Sequence, residues 1–245
     1  MGFFTPHHLA LIFGLLGNIV SFLVFLAPVP TFYTIYKKKT AEGYQSIPYI
    51  VALSSAMMLL YYGILKTNAT LIITINIIGC VIEVTYLIIY IIYAPKKGKV
   101  FTVKMILLFN IGGYGLIMLF LNLLTKGHKR TTTMGWICAA YNLAVFAAPL
   151  SIMRHVIRTK SVEHMPFFLS FFLVLCATMW FFYGLFVKDP FIALPNVLGF
   201  LFGIAQMILY MVYKNAKKDV ESEENLQKGD IELNLSSVEN VMHGK

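Results

Sequence analysis

Long apolar runs separated by short polar segments are the main pattern along this chain. A helix needs about 20 apolar residues to cross a hydrocarbon core roughly 30 Å thick, and windows of that length recur along the sequence. They lie at 9–27, 47–65, 71–93, 103–124, 134–153, 166–187 and 190–213. The pattern therefore predicts an all-α integral membrane protein with seven transmembrane helices.

Composition and charge agree with a membrane protein. Hydrophobic residues make up 58% of the chain and charged residues 13%, against roughly 25% charged residues in soluble domains. The net charge of +9 is sorted by loop, so orientation explains it better than a nucleic-acid partner does. With the N-terminus outside and the C-terminus cytosolic, the inner loops hold Lys37, Lys38, Lys39, Lys96, Lys97, Lys99, Lys104, Arg154, Arg158, Lys160, Lys214, Lys217 and Lys218, and the outer loops hold Lys66, Lys126, Lys129, Arg130 and Lys188.

The two halves of the chain repeat each other at a separation of 118 to 121 residues. The matched pairs are Ala27-Pro28 with Ala148-Pro149, Lys39 with Lys160, Glu42 with Glu163, Pro48 with Pro166, Tyr62-Gly63 with Tyr183-Gly184, Asn76 with Asn196, and Tyr93 with Tyr213. Each copy contains three spans, and the fourth span has no partner. Two parallel three-helix repeats joined by a linker helix form a transporter architecture, with the solute site near the midplane.

This organisation predicts four segments. The first repeat covers residues 1–94, the linker helix 95–128, the second repeat 129–214, and a polar, disordered cytosolic tail 215–245. The first apolar segment lacks a cleavage site of the A-x-A type, so we expect it to stay as a span.

Polar residues inside the spans are candidates for a solute pathway, because burying them in hydrocarbon is costly. Asn76 and Asn196 occupy equivalent repeat positions, and their carboxamides suit a neutral ligand rich in hydroxyl groups. A lone asparagine would favour helix–helix contact, whereas a symmetric pair favours a site. Trp180 lies in a mid-membrane window, where an indole can stack on a sugar ring, and its repeat partner is Leu59.

Small or weakly polar residues near these positions are further candidates for the lining of the cavity. Ser55 and Cys176 are equivalent positions one turn before Leu59 and Trp180. A second group, ranked lower, lies before the prolines of spans one and five: Val24, Asn142 and Val145.

Two sets of residues predict gates at the two membrane faces. Pro28, Pro48, Pro149 and Pro166 form two repeat-related pairs on the cytosolic side, where proline weakens a helix and favours a hinge. Pro48 and Pro166 also suit simple helix starts. On the outer side, we expect Tyr62, Tyr183 and Asp189 to close the mouth through a phenol–carboxylate hydrogen bond.

Other chemistry finds little support in the sequence. Cys80, Cys138 and Cys176 fall inside spans without metal-ligand spacing, so no disulfide, metal or cofactor is predicted. A membrane enzyme would need a nucleophile–base or metal arrangement, and a seven-helix receptor would not repeat as three, one and three spans. Glu83 has no second membrane carboxylate for a proton relay, so we expect a hydrogen-bonded structural group and passive transport.

The chain resembles the SWEET sugar transporters (the MtN3/saliva group, related to PQ-loop proteins) across residues 8–215. The stretches that carry the resemblance are Gly14-Leu15-Leu16-Gly17-Asn18, Leu26-Ala27-Pro28-Val29-Pro30, Gln45-Ser46-Ile47-Pro48-Tyr49, Thr74-Ile75-Asn76, Ala148-Pro149-Leu150-Ser151, Lys160-Ser161-Val162-Glu163 and Ala193-Leu194-Pro195-Asn196. It implies that the two asparagines and Trp180 line a sugar site and that the four prolines form the cytosolic hinge. It also implies energy-independent, bidirectional sugar movement across the plasma membrane.

Within that family, the run from Lys37 to Ser46 is most similar to the branch that carries sucrose. Three positions depart from the branch, with Leu59 in place of Trp and with Cys176 and Asn142 in place of Ser. The sequence therefore favours sucrose, with a hexose-selective facilitator and a PQ-loop transporter of another small solute, such as a basic amino acid, as alternatives. The predicted partners are the sugar and the lipid bilayer, with a homo-oligomer left open.

Overall fold

The chain folds as a bundle of helices. The computed structural model describes residues 5–145, 147–162 and 167–214, apart from the side chains of residues 147 and 148. The helices are α1 (Pro6–Leu26), α2 (Val29–Lys38), α3 (Ile47–Leu65), α4 (Thr70–Tyr93), α5 (Lys96–Met105), a π-helix (Ile106–Gly113), α6 (Tyr114–Leu124), α7 (Gly127–Val145), α8 (Ala147–Thr159), α9 (Phe167–Phe186) and α10 (Pro190–Tyr213). The predicted tail at 215–245 and Pro166 lie outside the described residues.

Seven segments of the described residues are long and apolar enough to cross a membrane, as the sequence predicts. Three are longer than their apolar windows: the first runs over Pro6–Lys38, the fourth over Lys96–Leu124 and the fifth over Gly127–Thr159. Their extra turns carry Lys, Arg, Thr and Tyr, which an apolar window leaves out. We call the face of the bundle that holds residue 5 the N-terminal side and the opposite face the far side.

Proline ends or begins helices on the far side. α1 ends at Leu26, and Pro28 adopts helical angles before α2 begins at Val29. Pro48 occupies the first turn of α3, where a missing N–H breaks no helical hydrogen bond. Pro149 lies on α8, within the long fifth span Gly127–Thr159. A further proline, Pro195, lies inside α10 directly before Asn196.

The linker segment α5–π–α6 packs mainly on the first repeat. Its middle part is a π-helix, a form that is rare overall but often occurs at functional sites. The π-helix buries Asn110, which donates to the carbonyl oxygen of Ile50 at 3.3 Å. Near the far side, the hydroxyl groups of Ser46 and Thr102 are 2.7 Å apart and both residues are buried. These contacts join the linker to the start of α3.

The two repeats share their backbone geometry at single residues. Lys39 and Lys160 are both left-handed, with φ of 56° and 54°, and so are Asn68 and Lys188, with φ of 60° and 55°. Left-handed angles are uncommon for residues other than glycine, so their recurrence at offsets of 120 and 121 marks a duplicated fold.

The repeats meet along two pairs of helices. α1 packs on α9, and α3 packs on α7, so each contact joins the first helix of one repeat to the second helix of the other. We call these contacts the α1–α9 seam and the α3–α7 seam. Within the repeats, α4 packs on α1 and α3, while α10 packs on α7 and α9. The middle turns of α4 and α10 therefore lie between the two seams.

Candidate functional site

The two asparagines lie in those middle turns with the same local hydrogen bond. The amide nitrogen Nδ2 of Asn76 donates to the carbonyl oxygen of Ile72 at 2.8 Å, and that of Asn196 donates to Ile192 at 2.7 Å. This bond orients each amide, and one N–H and the Oδ1 atom of each remain without a partner among the described residues. Each asparagine therefore keeps one donor and one acceptor that the described residues do not use.

The α1–α9 seam brings Trp180 against the first helix. A Cβ atom on Gly17 would lie 3.1 Å from the indole ring, so this glycine lets the two helices approach closely. The indole Nε1–H donates to Ser21 Oγ at 2.9 Å, and the same hydroxyl is 3.1 Å from the Cys176 sulfur. In this conformation the Trp180 N–H is bound by the protein, and one face of the indole packs on Gly17.

The α3–α7 seam contains the repeat-related contact. The Ser55 hydroxyl donates to Asn142 Oδ1 at 3.3 Å, and these residues are equivalent to Cys176 and Ser21 by the offset of 121. A polar pair thus joins the repeats at matching depth on both seams. Leu59, the repeat partner of Trp180, packs against a core that includes Cys138.

The two valines of the predicted lining lie farther along the same helices. Val24 borders an apolar crevice of about 300 Å³ between α1 and α9, together with Leu23, Ala27, Phe168, Leu169 and Phe172. Val145 is the last residue of α7 and is half-buried. Both valines lie between the polar pairs and the prolines of the far side.

A buried acid joins the repeats on the N-terminal side. The Tyr62 hydroxyl of α3 donates to Asp189 Oδ2 at 2.8 Å, and Lys66 forms an ion pair with the same oxygen. The other carboxylate oxygen of Asp189 caps α10 by accepting from the Phe191 N–H at 3.0 Å. These residues border a depression of about 770 Å³ that opens on this side and also touches His128.

Tyr183 lies in the same buried core cluster as Tyr62 but does not bond to the acid. Its hydroxyl makes no hydrogen bond to Asp189 among the residues described, and its ring packs on Gly14 and meets Trp180 edge-on, with 5.3 Å between ring centroids. The structure therefore joins Tyr62 and Asp189 by the expected hydrogen bond and leaves Tyr183 beside them.

Comparisons with known proteins identify the family. A family model described as a sugar efflux transporter for intercellular exchange matches residues 11–98 and 132–218. The bidirectional sugar transporter SWEET9 of Arabidopsis thaliana is 63% identical over 225 residues, which cover 91% of this chain and 87% of the relative. The chain belongs to the SWEET family.

Other relatives and a solved structure agree with this assignment. The bidirectional sugar transporter NEC1 of Petunia hybrida is 64% identical over 210 residues, covering 86% of this chain and 79% of the relative. A solved structure of a eukaryotic SWEET transporter matches with a TM-score of 0.79 at 33% identity, covering 84% of this chain and 97% of that one. The predicted family, the seven-helix fold and a transporter rather than an enzyme are thereby confirmed.

The SWEET family model matches the chain twice and omits most of the linker, which is the arrangement of two repeats around an unpaired helix.

Sequence reasoning missed Ser21, which accepts a hydrogen bond from the Trp180 N–H. The signal was available, because Ser21 is the repeat partner of Asn142 at an offset of 121. Sequence reasoning also counted Lys66 only as a loop charge, although Lys66 lies one turn after Tyr62 and directly follows the last residue of α3.

Glu83 differs from its expected state. The residue is 4% exposed, and its Oε2 atom has no hydrogen-bond partner within the described part of the chain. The expectation of a fully hydrogen-bonded carboxyl group is therefore wrong for this oxygen. The repeat counterpart, Gly203, leaves no comparable space, since a Cβ atom there would collide with Val174.

Proposed function

We propose that this chain carries a neutral sugar, sucrose in preference to glucose, across the plasma membrane in both directions without energy coupling. Membership of the SWEET family supports a sugar as the solute, since the relatives above are named bidirectional sugar transporters. In the proposed orientation the N-terminus is outside and the far side faces the cytosol, where most of the lysines and arginines lie.

The observation that carries this proposal is the matched pair Asn76 and Asn196. Each lies mid-helix between the seams, with one N–H and one carbonyl oxygen unused by the protein. Sugar hydroxyls both donate and accept, so two such amides bind a sugar without introducing a charge. A basic amino acid would instead need a carboxylate facing the cavity, and the mid-span acid Glu83 has a glycine as its repeat partner.

Trp180 is proposed as a stacking platform on one side of the sugar. Its N–H is held by Ser21, which fixes the ring, and the face opposite Gly17 stacks on the C–H groups of a pyranose in this proposal. Leu59 at the equivalent position is a smaller apolar wall, and that difference is the observation that favours a hexose facilitator as the second candidate. Sucrose stays first because its two rings can contact unlike walls.

Alternating access is proposed to arise from rocking of one repeat against the other about the seams. The Tyr62–Asp189 hydrogen bond and the Lys66 ion pair close the N-terminal side, while the chain bends on the far side at Pro28, Pro48, Pro149 and Pro166. Opening one side then requires the polar contacts of that side to separate. Such a cycle needs no ion gradient.

Labelled sugar flux in proteoliposomes tests the proposal. Purified protein should move sucrose, and glucose more slowly, inward and outward at equal rates with and without a proton gradient. An Asn76→Ala/Asn196→Ala double variant should lose at least about tenfold in flux, as expected for two lost polar contacts. Flux that collapses when the gradient is removed would refute passive transport, and an unchanged double variant would refute the site.

A further inference from the structure

Phe25 is an aromatic residue of α1 that neither the apolar pattern nor the repeat analysis singled out. Its ring lies on Gly79 of α4: a Cβ atom on this glycine would be 2.5 Å from the ring tip Cζ and 3.0 Å from Cε2. The ring therefore occupies the space where any other residue at position 79 would place its side chain. Gly79 is buried, so this contact lies inside the bundle.

The position of Gly79 puts the ring next to the proposed sugar site. Gly79 follows Asn76 by three residues, so both lie on one face of α4, separated by about 4.5 Å along the helix axis. α4 runs from the N-terminal side to the far side, so Phe25 lies on the far side of Asn76. Side chains in a helix tilt towards its N-terminus, so the Asn76 amide points away from Phe25 and leaves room between them.

The main chain of Phe25 is held as well as its ring. The Tyr86 hydroxyl of α4 donates to the Phe25 carbonyl oxygen at 2.8 Å, and the Tyr86 ring stacks on Phe32 of α2 with 4.3 Å between centroids. Phe25 is thus fixed to α4 one turn before the break at Pro28. Its ring leaves Gly79 only when α1 and α4 separate or when the side chain changes rotamer.

We infer that Phe25 forms the floor of the sugar site on the far side of Asn76, and that Gly79 is the positioning residue that holds its ring there. The inference rests on the proposed function. A sugar bound at Asn76 contacts the Phe25 ring with its lower face, and the height of that ring sets how large a sugar fits. Phe25 is in this way a determinant of the choice between disaccharide and hexose, beside Trp180 and Leu59.

Substitutions that lower or raise the floor test this directly, with the ratio of sucrose to glucose flux as the readout. Phe25→Ala should raise the KM for sucrose about tenfold by removing a stacking surface. Gly79→Ala should push the ring towards Asn76 and cut sucrose flux about tenfold while glucose flux falls about threefold or less. Adding Phe25→Leu to Gly79→Ala should restore most of the sucrose flux.

Two control variants separate a floor from general packing. Gly115→Ala places a methyl group where no atom lies within 4 Å, and Phe22→Ala removes an aromatic ring that is 42% exposed on the same helix. Both should leave the flux ratio unchanged. Monodispersity in detergent identifies variants that fail to fold, and the Gly79→Ala/Phe25→Leu pair keeps the test decisive if Phe25→Ala is one of them.

The outcomes distinguish this inference from the function on which it rests. If the unmodified protein moves no sugar, the proposed function fails. If it moves sugar and the double asparagine variant abolishes flux, but the Phe25 and Gly79 variants change sucrose and glucose flux equally, the floor is refuted. A Gly79→Ala defect that Phe25→Leu does not relieve would also overturn it.

Discussion

On the N-terminal side, the loops before α4 and α10 share a left-handed residue but differ in the residue that caps the helix. Asn68 and Lys188 are both left-handed, and the next residue caps the third helix of each repeat. In the first repeat that residue is Ala69, which makes no capping bond with its side chain. In the second it is Asp189, which caps α10 and also binds Tyr62 of the first repeat. Duplication preserved the turn, and one side chain converted it into a contact between repeats.

The two seams, halfway along the bundle, also combine equivalent positions with positions that differ between the repeats. Ser21 with Cys176 and Asn142 with Ser55 are equivalent pairs that each bridge the repeats. One turn away, Trp180 on one seam is the repeat equivalent of Leu59 on the other. The symmetric positions carry the polar contacts, and the asymmetric ones differ in size and in hydrogen bonding. Specificity and closure are therefore expected at the positions where the repeats differ.

The largest effect is expected at the asymmetric acid. The Asp189 side chain is fully buried, whereas the Lys66 side chain is 25% exposed. Lys66→Met leaves a buried carboxylate without its counter-ion and should cost about 3 kcal/mol of folding stability. Asp189→Asn keeps one oxygen that can accept from the Phe191 N–H, its amide N–H can donate to the Tyr62 hydroxyl, and the lysine can reach water, so its cost should be about 1 kcal/mol.

Thermal unfolding of the purified variants in detergent measures this difference. Lys188→Met is the matched control, because Lys188 is an exposed lysine directly before Asp189 and its replacement should change stability by less than about 0.5 kcal/mol. An Asp189→Asn variant that is less stable than Lys66→Met would contradict the assignment of the ion pair as compensation for a buried charge.

The second effect concerns the broken pair Trp180 and Leu59. Trp180→Leu makes both seams alike and should lower sucrose flux about tenfold, because a stacking surface and the bond to Ser21 are lost. Leu59→Trp makes them alike in the opposite sense and should raise the sucrose-to-glucose flux ratio about threefold, roughly 0.7 kcal/mol.

Initial rates for both sugars in vesicles check the two substitutions. Equal losses of sucrose and glucose flux in Leu59→Trp would mean that the new ring blocks the pathway instead of adding a wall. The proposed division of roles between the seams would then be wrong.

Much of the fold could be predicted from the sequence, because span length and a fixed repeat offset are written in consecutive residues. The seven spans and the two repeats follow from these signals. The bounds of the first span did not, since α2 carries Tyr, Thr and Lys and lacks the apolar signal of α1. The π-helix at Ile106–Gly113 has no sequence pattern by which the residues alone could identify it.

The site was predictable only in part, because repeat symmetry can be detected in the sequence but contacts between helices cannot. Repeat symmetry selects Asn76 and Asn196 without any knowledge of the fold. Which spans touch each other is a property of packing, so the contact of Trp180 with Ser21 and that of Phe25 with Gly79 required the structure. Residues that act through a neighbour on another helix leave little trace in a single sequence.

The third effect compares the two hydroxyl groups of the seams. Ser21→Ala leaves the Trp180 N–H without its acceptor and should cost about 1–2 kcal/mol. Ser55→Ala removes a longer bond, and its acceptor Asn142 is half-buried, so the cost should be about 0.5 kcal/mol. In a Trp136→Phe background, fluorescence reports Trp180 alone, and only Ser21→Ala should shift its emission. A shift of equal size in Ser55→Ala would show that the seams are coupled and not separate.

The smallest effect is expected at the far side, where each repeat bonds its left-handed lysine to the tyrosine that ends its third helix. Lys39 Nζ is 3.4 Å from the Tyr93 hydroxyl, and Lys160 Nζ is 2.9 Å from that of Tyr213. The first repeat adds a backbone bond at 3.0 Å from the Ala41 N–H to the Tyr93 carbonyl. No matching bond joins residue 162 to Tyr213 in the part of the chain that the structure describes.

Because of that backbone bond, replacing the lysine should loosen the second repeat more than the first. An exposed lysine on a tyrosine contributes about 0.5–1 kcal/mol, so Lys160→Met should speed amide exchange at the end of α8 about two- to fivefold. Lys39→Met should change exchange at the end of α2 by less than about twofold, since Ala41 keeps the chain in place. Hydrogen–deuterium exchange of both variants measures this directly. If the two ends loosen equally, the backbone bond contributes nothing to the difference between the repeats, and the first repeat is not the more firmly held of the two on this side.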